Sequence, residues 1–248
     1  MTARTHFTEP TTSYWQRFVS EEALPDGVRP GDGPWRYGYP VKLPDGRFLV
    51  LPIRQLRADP SLAVASLIAN QAALEVVDAL GVMLARLLAP YSPEVVVGMP
   101  TLGLSLAPVV ARELGLERML PLSYSRKYWY DQALSAQVQS ITAPDDAKRV
   151  YLDPNLLPLL RGRRVVLVDD AVSSGATVDA PWRLVESVGA EVIACGVVMR
   201  QSERWMATLG AERAAKVVGV FDTPVLAAVA GGWVRQGRDA VGGGLQEI

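Results

Sequence analysis

Cysteine and histidine are almost absent. The 248 residues contain one of each, Cys195 and His6. One cysteine excludes a disulfide framework within the chain, and the pair together excludes a zinc site built of Cys and His. Cys195 lies in the apolar run VIACGVVM and reads as a buried strand residue. His6 lies in a polar N-terminal stretch, where order is not expected. Neither is a candidate nucleophile or base. Net charge is also lacking: the formal value of −1 leaves no basic excess of the kind that general nucleic-acid binders carry. Long uninterrupted apolar runs are missing as well. The opening MTARTHFTEPTTSYW has no apolar core of a signal peptide. The most apolar long segment, residues 61–89, is broken by Asn70, Glu75, Asp78 and Arg86 and is too polar to span a bilayer. A cytoplasmic chain is expected.

What is present is an ordinary globular composition, 49% apolar and 21% charged. Residues 1–58 are rich in Pro, Gly and aromatics, with Pro-Asp-Gly turns at 25–27 and 44–46. Between them RYGYPVKL and RFLVLPI predict a short hairpin. This part reads as an N-terminal extension packed on the main domain. A long helix is expected next, with Asp59 as N-cap, Pro60 at the first helical position and Pro90 as the stop. Leu67, Leu74, Val77, Leu84 and Leu88 would form its buried face.

From Glu94 the text alternates strand and helix. EVVVGM, RMLPLSY, KRVYL, RRVVLVDD, AEVIACGVVM and AKVVGVF read as strands, while LSLAPVVAREL and TVDAPWRLVESVG read as helices. The fold class is therefore α/β, a mostly parallel sheet flanked by helices. The core is expected over residues 59–222, followed by a C-terminal segment, 223–248, ending in a flexible GGGLQEI tail.

The chemistry concentrates in Val165–Thr177, VVLVDDAVSSGAT. A buried strand delivers Asp169 and Asp170 to its carboxyl end, where open parallel sheets bind ligands. Ala171, Val172, Ser173, Ser174, Gly175, Ala176 and Thr177 then form a tight turn into a helix, whose amides and dipole suit a phosphate. Gly175 permits close backbone approach, and the three hydroxyls add donors. Two carboxylates would repel a bare phosphate chain. They make sense as acceptors for sugar hydroxyls with Mg²⁺ offsetting charge nearby, so a phosphorylated sugar satisfies both halves.

This segment resembles the phosphoribosyl-pyrophosphate (PRPP) motif of type I phosphoribosyltransferases. The resemblance implies that Asp169 and Asp170 hold the ribose hydroxyls and that residues 171–177 hold the 5′-phosphate. It covers about residues 60–222 and implies two further parts. A pyrophosphate loop would be Met99, Pro100, Thr101, Leu102 and Gly103, following EVVVGM. It lacks the charged residue common in the family, so the anion would rely on backbone amides and the Thr101 hydroxyl. A mobile catalytic flap would begin at Ser125, Arg126 and Lys127 and run through Tyr128, Trp129 and Tyr130 to Ser140–Thr142. It would bring cations to the pyrophosphate and exclude water on closing.

The implied reaction displaces pyrophosphate from the sugar C1 by a nucleobase, with Mg²⁺ and without a covalent nucleophile. Hypoxanthine-guanine members carry an acidic residue at the position of Ser173, and this chain does not. The arrangement SRKYW then QSIT is similar to adenine- and xanthine-type enzymes, so a purine is expected, adenine ahead of xanthine, with orotate or an unusual base as alternatives. The hood over the base would come from outside the matched core, with Trp35, Tyr37, Tyr39, Phe221 or Trp233 stacking on it. A PRPP-sensing regulator is the main rival, but residues 1–60 show no recognition helix or basic cluster. An amidotransferase would need an N-terminal cysteine, and a pyrophosphokinase an ATP segment. The family commonly forms homodimers, and a dimer is expected here.

Overall fold

The computed structural model describes residues 13–31, 33–138 and 148–237. His6, the Ser140–Thr142 end of the expected flap and the GGGLQEI tail lie outside them.

A five-stranded parallel sheet forms the centre. Its strands are β4 (Val95–Gly98), β5 (Leu120–Pro121), β8 (Arg164–Val172), β9 (Glu191–Gln201) and β10 (Val217–Thr223), in the order β10-β9-β8-β4-β5. Alternation along each strand separates the two faces. Val96, Val166, Val168, Ala194 and Val198 pack with helices α1 (Leu74–Leu88) and α2 (Gly103–Glu113). Val97, Val165, Leu167, Cys195 and Val197 pack with α4 (Ala176–Ser187) and α5 (Arg204–Ala214). Both faces are thus covered, which explains why these strands read as continuous apolar runs. Cys195 is buried, and burial pushes its thiol well up, as a structural cysteine requires. Among the described residues no helix is long and apolar enough to cross a membrane.

A second sheet is antiparallel: β1 (Gly38–Lys42), β2 (Phe48–Gln55), β3 (Leu62–Ala65), β11 (Val225–Val229) and β12 (Gly232–Arg235), in that order. The expected hairpin is β1–β2, closed through the Pro44–Gly46 turn, where the Gly46 N–H donates to the Leu43 carbonyl. The sheet is wider than expected, because β3 pairs with β11 across the length of the core. Trp35 and Trp233 exchange backbone hydrogen bonds of 2.8 and 2.7 Å at its far side. The extension and the C-terminal segment therefore build one structure. This sheet shares a hydrophobic cluster with α1, α2 and the parallel sheet.

The helix expected from Asp59 is corrected. Asp59 accepts from the Ser61 N–H and hydroxyl in a turn, Leu62–Ala65 is a fully buried strand, and a 3₁₀ turn spans Ala69–Gln71. The helix begins only at Leu74, which is 82% exposed, and its buried face is Val76, Val77, Leu80, Leu84 and Leu88. Between β5 and β8 lie β6 (Ser135–Gln137), β7 (Arg149–Tyr151), which pairs with it, and the single turn α3 (Leu157–Leu160).

Candidate active site

The carboxyl end of β8 is the focus. Asp169 and Asp170 are each only 6% exposed. Asp169 is held well above the usual carboxylate range, first by burial and then by the neighbouring Asp170 charge. The N–H groups of Asp170 (2.9 Å to Oδ1) and Gly103 partly offset this. Asp170 is raised to about 6, again by burial, and is partly relieved by the Asp169 side chain and by the amides of Ala171, Asp170 and Ala69. In the ligand-free chain the pair therefore holds a proton more tightly than ordinary carboxyls do. Two acids buried side by side raise the energy of the ligand-free chain. Such an arrangement persists when a ligand makes use of it.

The turn Ala171–Thr177 follows directly. Gly175, at φ +87°, is the N-cap of α4, and its carbonyl receives the Val178 and Asp179 N–H groups. A Cβ there would meet Thr208 and the Trp205 carbonyl at 3.0 Å, so glycine is required by both conformation and space. The start of α4 leaves N–H groups without intrahelical partners at the positive end of its dipole. Ser174 Oγ accepts from the Ala176 N–H at 3.4 Å, and Ser173 Oγ donates to Gln201 Oε1 at 2.9 Å.

Residues 99–103 lie beside this turn, with a cis bond between Pro100 and Thr101. The Met99 side chain is buried, and its N–H donates to the Val168 carbonyl at 2.9 Å. Met99 therefore has no amide for an anion, Pro100 has none by chemistry, and that of Gly103 serves Asp169. Thr101, which is exposed, and Leu102 remain. Gly103 packs so closely on β8 that a Cβ would fall 2.3 Å from the Val168 carbonyl oxygen.

The segment expected as a flap begins and ends beside paired backbone. Ser123 and Tyr151 exchange backbone bonds of 3.0 and 2.8 Å, and the Lys148 ammonium sits 3.7 Å from the Tyr124 ring centroid. The Tyr124 phenol, just before that segment, is pushed up by burial and by the Asp169 charge, so the two groups lie within electrostatic reach. Arg126 and Lys127 are exposed. Tyr128 is 96% exposed and stacks edge-to-face on Trp129, whose Nε1 donates to Asp153 at 3.2 Å.

Four of the five aromatic residues expected to stack on a base cannot do so. Trp35, Tyr39, Phe221 and Trp233 are buried in the cluster shared by the two sheets, and Trp35 donates its Nε1 to the Arg29 carbonyl. Aromatic side chains on a sheet pack most favourably inward, and here both sides of this contact are apolar. Tyr37 is half-buried beneath the Arg36 guanidinium. The open space lies elsewhere. A cavity of roughly 600 Å³ separates the antiparallel sheet from the carboxyl end of the parallel one, and its walls include Arg54, Arg57, Leu102, Asp170, Ala171 and Gln201. Arg54, Arg57, Ala69, Tyr124, Lys148 and Gln201 were not signalled by motif. Gln201 had a signal in its position, as a polar residue ending an apolar strand at the ligand-binding edge of the sheet.

The sequence profile of the phosphoribosyl transferase domain matches residues 63–221, most of the chain. The chain belongs to the phosphoribosyl transferase domain family. Within the family it is similar to the adenine phosphoribosyltransferase of Methylococcus capsulatus, at 38% identity over 104 residues, 42% of this chain and 57% of that protein. The corresponding protein of Nitrosococcus oceani is 36% identical over 103 residues, 41% of this chain and 56% of its own length. The chain thus spans little more than half of these curated relatives. In fold it is similar to adenine phosphoribosyltransferase from Saccharomyces cerevisiae, solved with an imino-altritol bisphosphate and adenine. That match has a TM-score of 0.53 at 17% identity and covers 69% of this chain and 94% of that one. The enzyme of the same name from Rhodothermus marinus gives 0.53 at 18% identity over 69% and 93%. The phosphoribosyl transferase profile ends at Phe221 and begins inside β3, so most of the antiparallel sheet lies outside the matched region.

Proposed function

We propose that this chain transfers the 5-phosphoribosyl group of PRPP to a ring nitrogen of a purine, adenine ahead of xanthine, with release of pyrophosphate. The observation that carries the reading is the juxtaposition at one sheet edge. A buried acid pair is followed within a few residues by a glycine-capped helix start, and Asp170 and Ala171, between the two, line a cavity under the antiparallel sheet. Sugar hydroxyls donating to Asp169 and Asp170 would satisfy the carboxylates, while the 5′-phosphate sits on residues 171–177. The transition state carries positive charge on the sugar, so two carboxylates fixed by backbone amides are placed to stabilise it without reorganising.

The donor set fits Mg²⁺ carried largely by the substrate's own oxygens. Among the described residues no cluster of three or more Asp, Glu, His or Cys exists to cage an ion, and only Asp169 and Asp170 are at hand. Neutralising the departing pyrophosphate is the chemistry that Mg²⁺ supplies when bound. The chain's own contribution to that charge comes from Arg126 and Lys127, carried inward on the flap. Because both are exposed and lie on a loop, Arg126→Ala and Lys127→Ala should each lower kcat/KM by about 10–100-fold, with melting temperature unchanged. Steady-state kinetics beside a thermal melt checks both halves. Family resemblance also favours a homodimer in the cytoplasm, which the solution mass tests.

Arg54 and Arg57 in the cavity wall favour a second reading, a carboxylate-bearing base such as orotate. A panel of adenine, xanthine, guanine, hypoxanthine, orotate and uracil, incubated with PRPP and Mg²⁺, separates the two. Pyrophosphate release and nucleotide mass are the readouts. Turnover of a purine upholds the first reading, and turnover of orotate alone replaces it with the second. Failure to bind PRPP would sink both.

A further inference from the structure

Gln201 ends β9 at the same edge as the acid pair and is only 6% exposed. Its amide makes two bonds between segments far apart in sequence. Nε2 donates to the Ala65 carbonyl at 2.9 Å, at the end of β3 in the antiparallel sheet. Oε1 accepts from Ser173 Oγ at 2.9 Å, in the turn before α4. The orientation of the amide is not arbitrary. A carbonyl only accepts, so the nitrogen must face Ala65 and the oxygen must face Ser173.

That orientation constrains Ser173. A hydroxyl has one proton, and Gln201 holds it. In the ligand-free chain Ser173 therefore presents lone pairs to anything seated in the turn, and a phosphate oxygen would meet an oxygen. A phosphate is a charged acceptor and makes the stronger bond, so it competes with Gln201 for the proton. When the proton turns to the phosphate, Oε1 loses its donor. Gln201, which forms part of the wall of the cavity between the sheets, remains tethered to Ala65, and its oxygen is left as a buried acceptor without a partner. Such a group costs about 1–3 kcal/mol until a donor reaches it.

We propose that Gln201 is a positioning residue coupling the two halves of the site: phosphate binding at the turn draws the Ser173 proton away and frees Gln201 Oε1 to accept an N–H from the acceptor base. The coupling rests on the phosphoribosyl-transfer reading and adds to it a direction. The sugar phosphate prepares the cavity for a base that carries an amino or ring N–H on the facing edge.

Calorimetry with adenine and ribose 5-phosphate tests this. In the native chain, saturating ribose 5-phosphate should tighten adenine binding about fivefold or more, within the usual range of coupling between sites. In Ser173→Ala, Oε1 is free from the outset. Adenine should then bind more tightly without ribose 5-phosphate than it does to the native chain, and the coupling factor should fall towards one. Gln201→Leu should lose both the coupling and the gain, and the double variant should match it. A gain in base affinity on removing Ser173 is something a merely structural role would not produce. Ser173→Ala removes only an oxygen, so it keeps the test alive should Gln201→Leu fold poorly. If ribose 5-phosphate binds while adenine affinity is unchanged by it, or changes equally in Ser173→Ala, the coupling is wrong and the transfer reading stands. If neither ligand binds, the transfer reading itself falls and takes the coupling with it.

Discussion

Asp169→Asn/Asp170→Asn should lose phosphoribosyl transfer by about 10²–10⁴-fold while raising the melting temperature of the ligand-free chain. The loss follows from exchanging two charged acceptors for neutral ones under the sugar, each charge-assisted bond contributing about 1.5–3 kcal/mol. The gain in stability follows from their burial. Both carboxyls are 6% exposed, both are raised, and Asp170 lies at about 6 against an ordinary 3.8. A carboxyl whose folded value is raised binds more protons folded than unfolded. Through Asp170, stability therefore falls as pH rises from about 4 through about 6, and Asp169 adds to the fall in the same direction. In a chain of this size each kcal/mol recovered moves the melting temperature by roughly 2–4 °C. Two scans decide it, one of the variant at pH 7 and one of the native chain between pH 7 and 5. Both should rise. A native chain that melts lower at pH 5 than at pH 7 would show that the acid pair is not the dominant titrating term.

Gly103→Ala should be nearly as damaging, although no side chain is lost. The added carbon would lie 2.3 Å from the Val168 carbonyl oxygen and 2.9 Å from Asp169 Cα, both backbone atoms that no rotamer change can move. The start of α2 must retreat by roughly 1 Å, which takes the Gly103 N–H away from the Asp169 carboxylate and shifts Thr101 and Leu102 with it. A displacement of that size at a reacting centre costs on the order of 10²-fold in rate. Overpacking adds about 1–3 kcal/mol of destabilisation. The expected signature is a fall in both kcat/KM and melting temperature, unlike the acid-pair variant, in which the two move in opposite directions. Unchanged activity in Gly103→Ala would mean that residues 101–103 do not touch the substrate.

How much of this could be read beforehand depended on how local the signal was. Asp169 to Thr177 is one contiguous stretch whose strand, acids and turn each carry their own chemistry, and its geometry follows from the order of the letters. The parallel strands were legible because burial on both faces leaves uninterrupted apolar runs. Residues 59–73 misled because Leu62–Ala65 is equally compatible with a helix face. What makes it a strand is pairing with Val225–Ala227, which is invisible to any local window. The same non-locality hid the cavity. Arg54, Ala69 and Gln201 become neighbours of Asp170 only when the antiparallel sheet closes over the parallel one. Trp35 and Tyr39 of the extension belong to the antiparallel sheet region, as the hairpin pattern suggests, but point into the buried cluster and not into the cavity. Alternation fixes which residues share a face, but not which face looks inward.

The antiparallel sheet also has a consequence for how the chain acquires its shape during synthesis. Strands β1 to β3 emerge early, but β3 has no partner on its far side until Val225–Val229 leaves the ribosome, more than half the chain later. At ordinary elongation rates that wait is on the order of ten seconds. Through it Leu62, Val64 and the face of Trp35 stay open to other chains, and non-local pairings of this kind close slowly even once both strands exist. In the parallel core the widest separation between paired strands, from β4 to β8, is less than half as long, so its wait is shorter. Crowding and chaperone supply should therefore govern the yield of folded protein through the sheet that roofs the cavity rather than through the sheet that carries the acids.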